Sequence, residues 1–415
     1  MISVRNHRPL LSGNKRLLFL FIALVAGACS PKLRPAPAPV KQPEKPATQA
    51  QAAEPVKSLP KTTVISLLLP FGLDNLNPGA NYTANSLKQA DLALDYYQGF
   101  KLALDSLTAL GYNYKLQLYD SNGELSQAQS LAYNPQVRAS DLIAGPVFPE
   151  EIKAFTSVLT SQRKPILSPL SPSEPAAFKN QNLITVIPPL DCHASAAAEY
   201  INNTLKPKKI FILKSGYSDE NKYIVPFKKA IDSLSKKHVD INQFTVVRGQ
   251  LTSLVPQLSL TEQNVFVVPS TNEAFLMVTL RSLDSLANQY PITVFGHPSW
   301  EKFSFLKAQL LQHLNTHITS SDRVNYKAQA TVDFLNNYRK TYHIEPTDYA
   351  IKGFDEGLYF GRLLGANANE LKDLSKNDFT GLHNSFHFIH KPGLGWINTH
   401  VNIYQYVNFE LKPVE

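Results

Sequence analysis

Between Asp141 and Pro172 the chain reads DLIAGPVFPEEIKAFTSVLTSQRKPILSPLSP, and its apolar residues change period along the way. Residues 141–144 form a short apolar run stopped by Gly145-Pro146, as in a strand buried on both faces of a parallel sheet, where alternation disappears. Pro149 suits the first position of a helix. Glu150 and Glu151 fall in its first turn, where the helix dipole favours carboxylates, and Arg163 and Lys164 close it about three turns later. Pro165-Ile166-Leu167 opens the next strand, and Ser168-Pro169-Leu170-Ser171-Pro172 leaves it as a loop of hydroxyls and fixed φ angles. Ligands of open α/β sheets bind outside the carboxyl ends of strands, so residues 145–148 and 168–171 are candidate ligand contacts.

The same alternation covers most of the chain. TVISLLLPF, 63–71, reads as a strand ending in Pro70-Phe71, and a looser segment, 72–88, follows. Over 91–110 the residues Leu94, Tyr97, Phe100, Ala103, Leu104 and Leu107 recur at helical steps, which predicts a helix capped by Gly111. Residues 112–120 alternate as a strand turning at Asp120-Ser121-Asn122-Gly123, and a short helix occupies 127–132. After a strand near 183–187, the Pro188-Pro189 break marks a first crossing into a second unit. There, helices at 194–205, 221–236 and 272–286 are interleaved with strands at 209–214, 239–247, 264–269 and 291–295, which predicts a second parallel, doubly wound sheet. Tyr217, Ser270 and His297 follow strand ends in this unit. Segments 334–342 and 346–364 read as helices returning to the first unit. The tail, 386–389 and 401–409, alternates as antiparallel strands round Gly393-Leu394-Gly395-Trp396.

Length and composition leave room for two domains: 415 residues with 43% apolar content. The formal charge of +8 is less informative than its location. Arg5, Arg8, Lys15, Arg16, Lys32, Arg34, Lys41, Lys45, Lys57 and Lys61 face Glu44 and Glu54 alone, so residues 62–415 are neutral in sum. A neutral fold without a basic face offers little to nucleic acid. At the N-terminus a basic start precedes the apolar run 17–25, too short to span about 30 Å of hydrocarbon, so residues 1–28 read as a signal peptide. Ala26-Gly27-Ala28-Cys29 resembles a bacterial lipobox with Ala26 where Leu is usual, which makes Cys29 the lipidated first residue of the mature protein. The alternative is plain cleavage after Ala28. Residues 29–62, rich in Pro, Ala, Lys and Gln, form a tether without core-forming pattern. With Cys29 acylated, Cys192 has no partner for an intramolecular disulfide.

Taken together, ISLLLPF, YYQGFKLALDSL, LQLYDSNG, DLIAGPVF, KPILSPLSPS and FLNNYRKTYHIEPTDYAIKGFDEGLYFGRLL, with the closing GWIN, resemble type I periplasmic binding proteins, the Leu/Ile/Val-binding-like components of ABC transporters. The resemblance runs from about 63 to 410 and implies an α/β protein of two Rossmann-like lobes with parallel sheets, joined by three crossings and closing on a small solute. On this reading lobe 1 is 63–187 plus about 320–381, and lobe 2 is 188–319 plus about 382–415. Amino-acid binders of the family carry a hydroxyl residue after the glycine of the third strand. Here Pro146-Val147-Phe148 follows, and Pro146 also removes a backbone N–H. Gly-Pro at this place is similar to the related domain of outer-membrane lipoproteins that activate penicillin-binding proteins.

A small molecule held between such lobes is expected to touch Phe71, Pro146, Val147, Phe148, Ser168, Leu170 and Ser171 on one side and Tyr217, Ser270 and His297 on the other. Trp300 either lines the cleft or anchors the lobe surface. His383, His387 and His390 invite a metal reading, but without an interleaved carboxylate or Cys they read as solvated strand histidines. No dinucleotide fingerprint, phosphate loop, nucleophile elbow or His-Glu-x-x-His occurs, so neither enzymatic activity, a cofactor nor a metal is expected. The resulting expectation is a lipid-anchored protein of the cell envelope facing the periplasm, on the outer membrane if the source is Gram-negative. Its partner would be an ABC permease or, in the alternative reading, a cell-wall synthase. Mass spectrometry of the mature N-terminus is expected to find an acylated Cys29, and Cys29→Ala to release the protein from membranes. A free Ser30 or an unmodified Cys29 terminus contradicts the lipoprotein reading.

Overall fold

The computed structural model describes residues 61–75, 83–159, 163–367 and 371–414, so the expectations for residues 1–60, Cys29 included, lie outside the described residues. The first sheet starts from β1 (Thr63–Leu69), whose near-continuous apolar sequence lies between β2 (Tyr114–Asp120) and β3 (Leu142–Ala144). β4 (Ile166–Ser168) and β5 (Leu183–Thr185) extend it, all parallel, and the apolar run at 141–144 is a strand buried on both faces, as its pattern predicts. Four helices connect these strands: α1 (Ala84–Ala109), α2 (Leu125–Tyr133), α3 (Pro135–Ala139) and α4 (Pro149–Val158). α1 begins seven residues before its hydrophobic period does. Thr83 caps it, accepting a hydrogen bond from the Ser86 N–H at 3.0 Å, and its first turns are largely exposed and carry no apolar stripe.

The second lobe repeats this plan with β6 (Lys209–Lys214), β7 (Asp240–Thr245), β8 (Asn264–Val268), β9 (Ile292–Gly296) and β10 (Thr316–Ser320), in the order β10-β9-β8-β6-β7. Its helices are α5 (Leu190–Tyr200), α6 (Asn221–Leu234), α7 (Glu273–Ala287) and α8 (Ala308–His313). Phe211, Phe266 and Trp300 sit in its core.

α9 (Gln329–Tyr342) and α10 (Asp348–Ala366) return to lobe 1, where Phe334, Tyr338, Ala350 and Ile351 pack with Leu102 of α1. The tail then corrects the expected boundary. β11 (Phe379–Thr380) and β12 (Ser385–Phe386) form a small antiparallel pair, and β13 (Phe388–Lys391) and β14 (Gly395–Asn398) form a hairpin whose second strand runs parallel to β5 on the first sheet. Residues 382–398 therefore belong to lobe 1, because Phe386 and Phe388 close its core against Tyr359 and Phe360. β15 (Asn402–Val407) and β16 (Glu410–Pro413) belong to lobe 2, β15 lying antiparallel to β10. The tail is thus two hairpins, one per sheet, and not one hairpin round 393–396. Crossings between the sheets fall at 186–189, 321–328 and 399–401, giving two seven-stranded sheets of mostly parallel strands.

Lobe 1 is held by the crossing of α1 and α10. Gly353, Gly357, Gly361 and Gly365 recur every four residues along α10 and let its backbone approach α1. A Cβ on Gly353 would lie 2.2 Å from the Tyr96 carbonyl oxygen, and one on Gly99 would lie 1.8 Å from that of Ala350. In the same interface the Tyr96 hydroxyl donates to Glu356 at 2.8 Å and the Tyr114 hydroxyl donates to the Gly361 carbonyl at 3.0 Å. Glu356 is fully buried, and that burial, before any other effect, holds its carboxyl well above the usual range. Gly353→Ala is expected to destabilise the protein by about 3 kcal/mol, since backbone and not a movable side chain stands in the way. Urea unfolding checks this, and an unchanged midpoint would contradict the close crossing.

The candidate cleft between the lobes

At the carboxyl ends of the strands, the backbone donors that commonly receive anionic ligands are already occupied. In lobe 1 the N–H groups of Gly72, Leu73 and Asn122 donate to the Asp120 carboxylate at 3.1, 2.7 and 2.8 Å. In lobe 2 the Ser215 N–H reaches Glu220 at 3.0 Å, its hydroxyl does so at 2.7 Å, and the Gly216 N–H follows at 3.3 Å. At the mouth of α4 the Phe148 N–H donates to Glu151 at 3.3 Å, and Pro146 has no N–H to offer. The first two are sets of donors of the kind that binds phosphate or carboxylate, and all three hold a carboxylate of the chain itself. Burial lifts Glu151 to about 7.

Between the lobes lies a cavity of about 270 Å³. Leu170 and Pro172, after β4, and Tyr349 and Lys352, on α10, line it from lobe 1. His193 on α5, Pro298, Ser299, Glu301 and Lys302 after β9 and Thr319 and Ser320 at the end of β10 line it from lobe 2, and residues of two crossings, Ile187, Pro188, Ser321 and Asp322, complete the wall. Of its charged wall residues, Glu301, Asp322 and Lys352 are ion-paired, whereas Lys302 has no ion pair among the described residues. Lys352 Nζ stands 2.8 Å from Asp322, and Arg323 pairs with Glu301. Burial pulls the Asp322 carboxyl up, yet Lys352 and neighbouring cations outweigh it and hold the group below its ordinary value. Burial leaves Glu301 above its ordinary value, although Arg323 opposes the rise. His193 Nδ1 is 3.0 Å from the Thr319 hydroxyl, which ties α5 to the end of β10. Burial pushes His193, His297 and His317 down to about 4, so their imidazoles are neutral at pH 7. The arrangement suits a solute carrying hydroxyl or amide groups, or both charge signs at once.

The expected contacts separate into those near this cavity and those committed elsewhere. Leu170 lines it, and His297 precedes its Pro298 wall, accepting the Ser299 N–H at 3.1 Å. Ser168 and Ser171 are buried, the Ser168 hydroxyl without a hydrogen-bond partner and that of Ser171 2.6 Å from Ser173. Pro146 and Val147 are buried behind a cis Gly145–Pro146 peptide, where φ of +101° and the Leu68 carbonyl 2.2 Å from any added Cβ restrict position 145 to glycine. Phe71 packs on the lobe 1 core against Tyr97, and Phe148 stands beside Gly123. Tyr217 is 65% exposed and outside the cavity wall. Ser270 accepts the Trp300 indole N–H on its carbonyl at 2.9 Å, so Trp300, 1% exposed, is a core residue and not a cleft liner. His193, Glu301, Lys302, Asp322, Tyr349 and Lys352 were not legible as cavity residues, although the Pro188-Pro189 break next to α5 was the nearest signal.

The histidine trio does not act as a unit. His383 is buried with Nδ1 2.6 Å from Asp355, which corrects its reading as solvated, while exposed His387 faces Asp378 at 2.9 Å and His390 packs against Trp396. Among the described residues no cluster suited to a metal ion occurs and no helix is long and apolar enough to cross a membrane. Cys192 is a free thiol, pushed up to about 12 chiefly by burial.

No protein-family model matches the chain, and no curated protein matches it. Solved structures do. An ABC transporter substrate-binding protein from Desulfitobacterium hafniense is 18% identical, with a TM-score of 0.56 over 85% of this chain and 100% of its own. A substrate-binding protein of the same organism in complex with Leu is 17% identical, with a TM-score of 0.54 over 85% and 100%. The C-domain of LpoA from Haemophilus influenzae, a regulator of PBP1A, is 14% identical, with a TM-score of 0.57 over the same shares. This likeness establishes the type I periplasmic binding protein fold.

The neutral histidines have a consequence for stability. Their folded values near 4 lie below the ordinary 6.5, so between these limits the unfolded chain binds more protons and stability is lost as pH falls. Glu151, raised to about 7, acts in the opposite sense over part of that range. The histidine share is therefore read as a difference: His193→Gln with His317→Gln is expected to lose less melting temperature than the unaltered protein between pH 7 and pH 5. Calorimetry at fixed ionic strength measures it, and parallel curves would contradict buried neutral imidazoles.

Proposed function

With the type I periplasmic binding protein fold as the premise, we propose that this chain is a non-enzymatic solute-binding protein of the cell envelope, the substrate-binding component of an ABC transporter. Its solute is neutral or zwitterionic, an amino acid or a peptide-like molecule, and it sits between the lobes. The observation that carries this reading is the cavity walled by both lobes and by two crossings, with charges of both signs on its wall, most of them paired. The occupied donor sets at Asp120, Glu220 and Glu151 argue against simple anions. The lipid anchor at Cys29 belongs to the same reading and places the protein on a membrane facing the periplasm.

A second reading has specific support. The carboxylate-filled strand ends and the Gly145–Pro146 step close the family's usual carboxylate pocket, which suits a protein whose cleft no longer transports and whose partner is a cell-wall synthase. The fold likeness to the LpoA C-domain agrees with it.

A thermal-shift screen separates the two. A ligand at about a hundredfold over its Kd stabilises the native state by roughly 2.7 kcal/mol, several degrees for a protein of this size. Zwitterionic amino acids or short peptides are expected to raise the midpoint more than simple carboxylates or phosphate. Ser299→Ala with Lys302→Ala is expected to abolish the shift and leave the ligand-free midpoint in place. A screen of amino acids, short peptides and murein fragments without any shift, together with retention of a cell-wall synthase in a pull-down, would overturn transport in favour of regulation.

A further inference from the structure

The end of lobe 1 that faces away from the cleft holds a cavity of about 600 Å³ that the solute-binding reading leaves unused. It opens among the amino ends of the strands: Asp141 precedes β3, Pro165 precedes β4, Asn182 precedes β5, and Trp396 lies near the start of β14. Its size falls within the range of about 300–1,000 Å³ usual for small-molecule sites. Ile184, Leu364 and Leu371 give it a buried apolar floor. Over that floor stands Trp396, half-buried and turned edge to face against His390 at 5.0 Å between ring centroids.

We propose that this cavity is a second binding site, for a ring-bearing anion of the sugar-phosphate or sugar-acid class. The indole and the aliphatic floor offer a flat apolar surface to one face of a sugar ring. Arg163 and Lys372 stand exposed on the rim, and neither meets a carboxylate among the described residues. A guanidinium presents a fork that fits the two oxygens of a phosphate or carboxylate, and an ammonium adds a second positive charge. The rim acid, Asp141, is already engaged, accepting the Val64 N–H at 2.9 Å with Lys61 Nζ 3.8 Å away. The free amide of Gln181 at the edge suits ring hydroxyls. The site differs from the cleft: its two cations meet no carboxylate among the described residues, its aromatic ring is accessible, and it lies at the opposite ends of the strands. The inference stands whether or not the cleft transports. The same chemistry is borne by a free sugar phosphate and by the inositol phosphate head of a lipid, and Lys61, on the side from which the chain enters β1, borders this end of the lobe.

The chain carries its own reporter. Of its two tryptophans, Trp300 is 1% exposed and hydrogen-bonded inside lobe 2, so quenching by an added ligand reports Trp396. Titration of the full chain with glucose 6-phosphate, and separately with phosphatidylinositol vesicles against phosphatidylcholine vesicles, is expected to give saturable quenching in at least one arm, which identifies the source. Glucose and inorganic phosphate alone are expected to bind more weakly. Arg163→Ala with Lys372→Ala, both on the surface, should weaken binding about tenfold or more without moving the melting temperature. Ser299→Ala with Lys302→Ala should leave this quenching intact and so separates it from the cleft. Absence of saturable quenching in both arms, or quenching that the Arg163 and Lys372 changes leave unaltered, would overturn the proposal.

Discussion

The contact on which the rest of the molecule depends is the crossing of α1 and α10, where two helices far apart in sequence meet backbone to backbone. Gly353 and Gly357 on α10 make that backbone approach possible, and the Tyr96–Glu356 hydrogen bond, spanning 260 residues, fixes its rotation. The crossing does more than build lobe 1. α10 begins after the second crossing from lobe 2, and its first turns carry Tyr349 and Lys352 into the cavity wall. Lys352 then reaches Asp322 on that same crossing, so the seat of the helix also sets the charge pair at the hinge side of the cleft.

The electrostatics of the cleft follow from a second habit of the chain, which is to satisfy its own strand-end donors. Asp120, at the end of β2, gathers N–H groups from the loop after β1, and Glu220, just before α6, gathers them from the corresponding loop after β6. Backbone donors in such loops stabilise whatever negative charge reaches them first, and an intramolecular carboxylate has the advantage of proximity. The cavity is left with mostly paired charges, hydroxyls and the neutral imidazole of His193, a lining that discriminates by shape and hydrogen bonding more than by net charge.

Much of the fold was legible because buried parallel strands are written as apolar runs and their ends as Gly, Pro and Ser. TVISLLLPF, DLIAG, KIFILK and NVFVV all fall on strands. β10, reading THITS, was missed because its fully buried residues are mostly polar, and contacts such as His193 on Thr319 and Tyr200 against His317 are ones no local pattern reveals. The tail was read as strands but assigned to the wrong partners, since β14 and β15 differ little in composition and their sheets are chosen by which edge each meets. The site divided in the same way. Leu170 and His297 stand at strand ends and could be found there, whereas His193 and Lys352 enter from helices and are placed by packing alone. Ser270 looked like a ligand contact, and its carbonyl instead accepts the indole N–H of Trp300, which the sequence left open between cleft and anchor.

The splitting of the last strands between the sheets has a consequence for how the protein is made. β5 is synthesised about 210 residues before β14, the strand that covers its edge, and β10 waits for β15 in the same way. At ordinary rates of translation the first gap lasts roughly 10–40 s. During that interval each half-built sheet presents an open row of backbone donors and acceptors, the feature through which sheets pair with the wrong chain. A nascent chain of this design therefore needs protection until β14 and β15 have emerged, and a ribosome that stops short of them releases two unfinished edges at once.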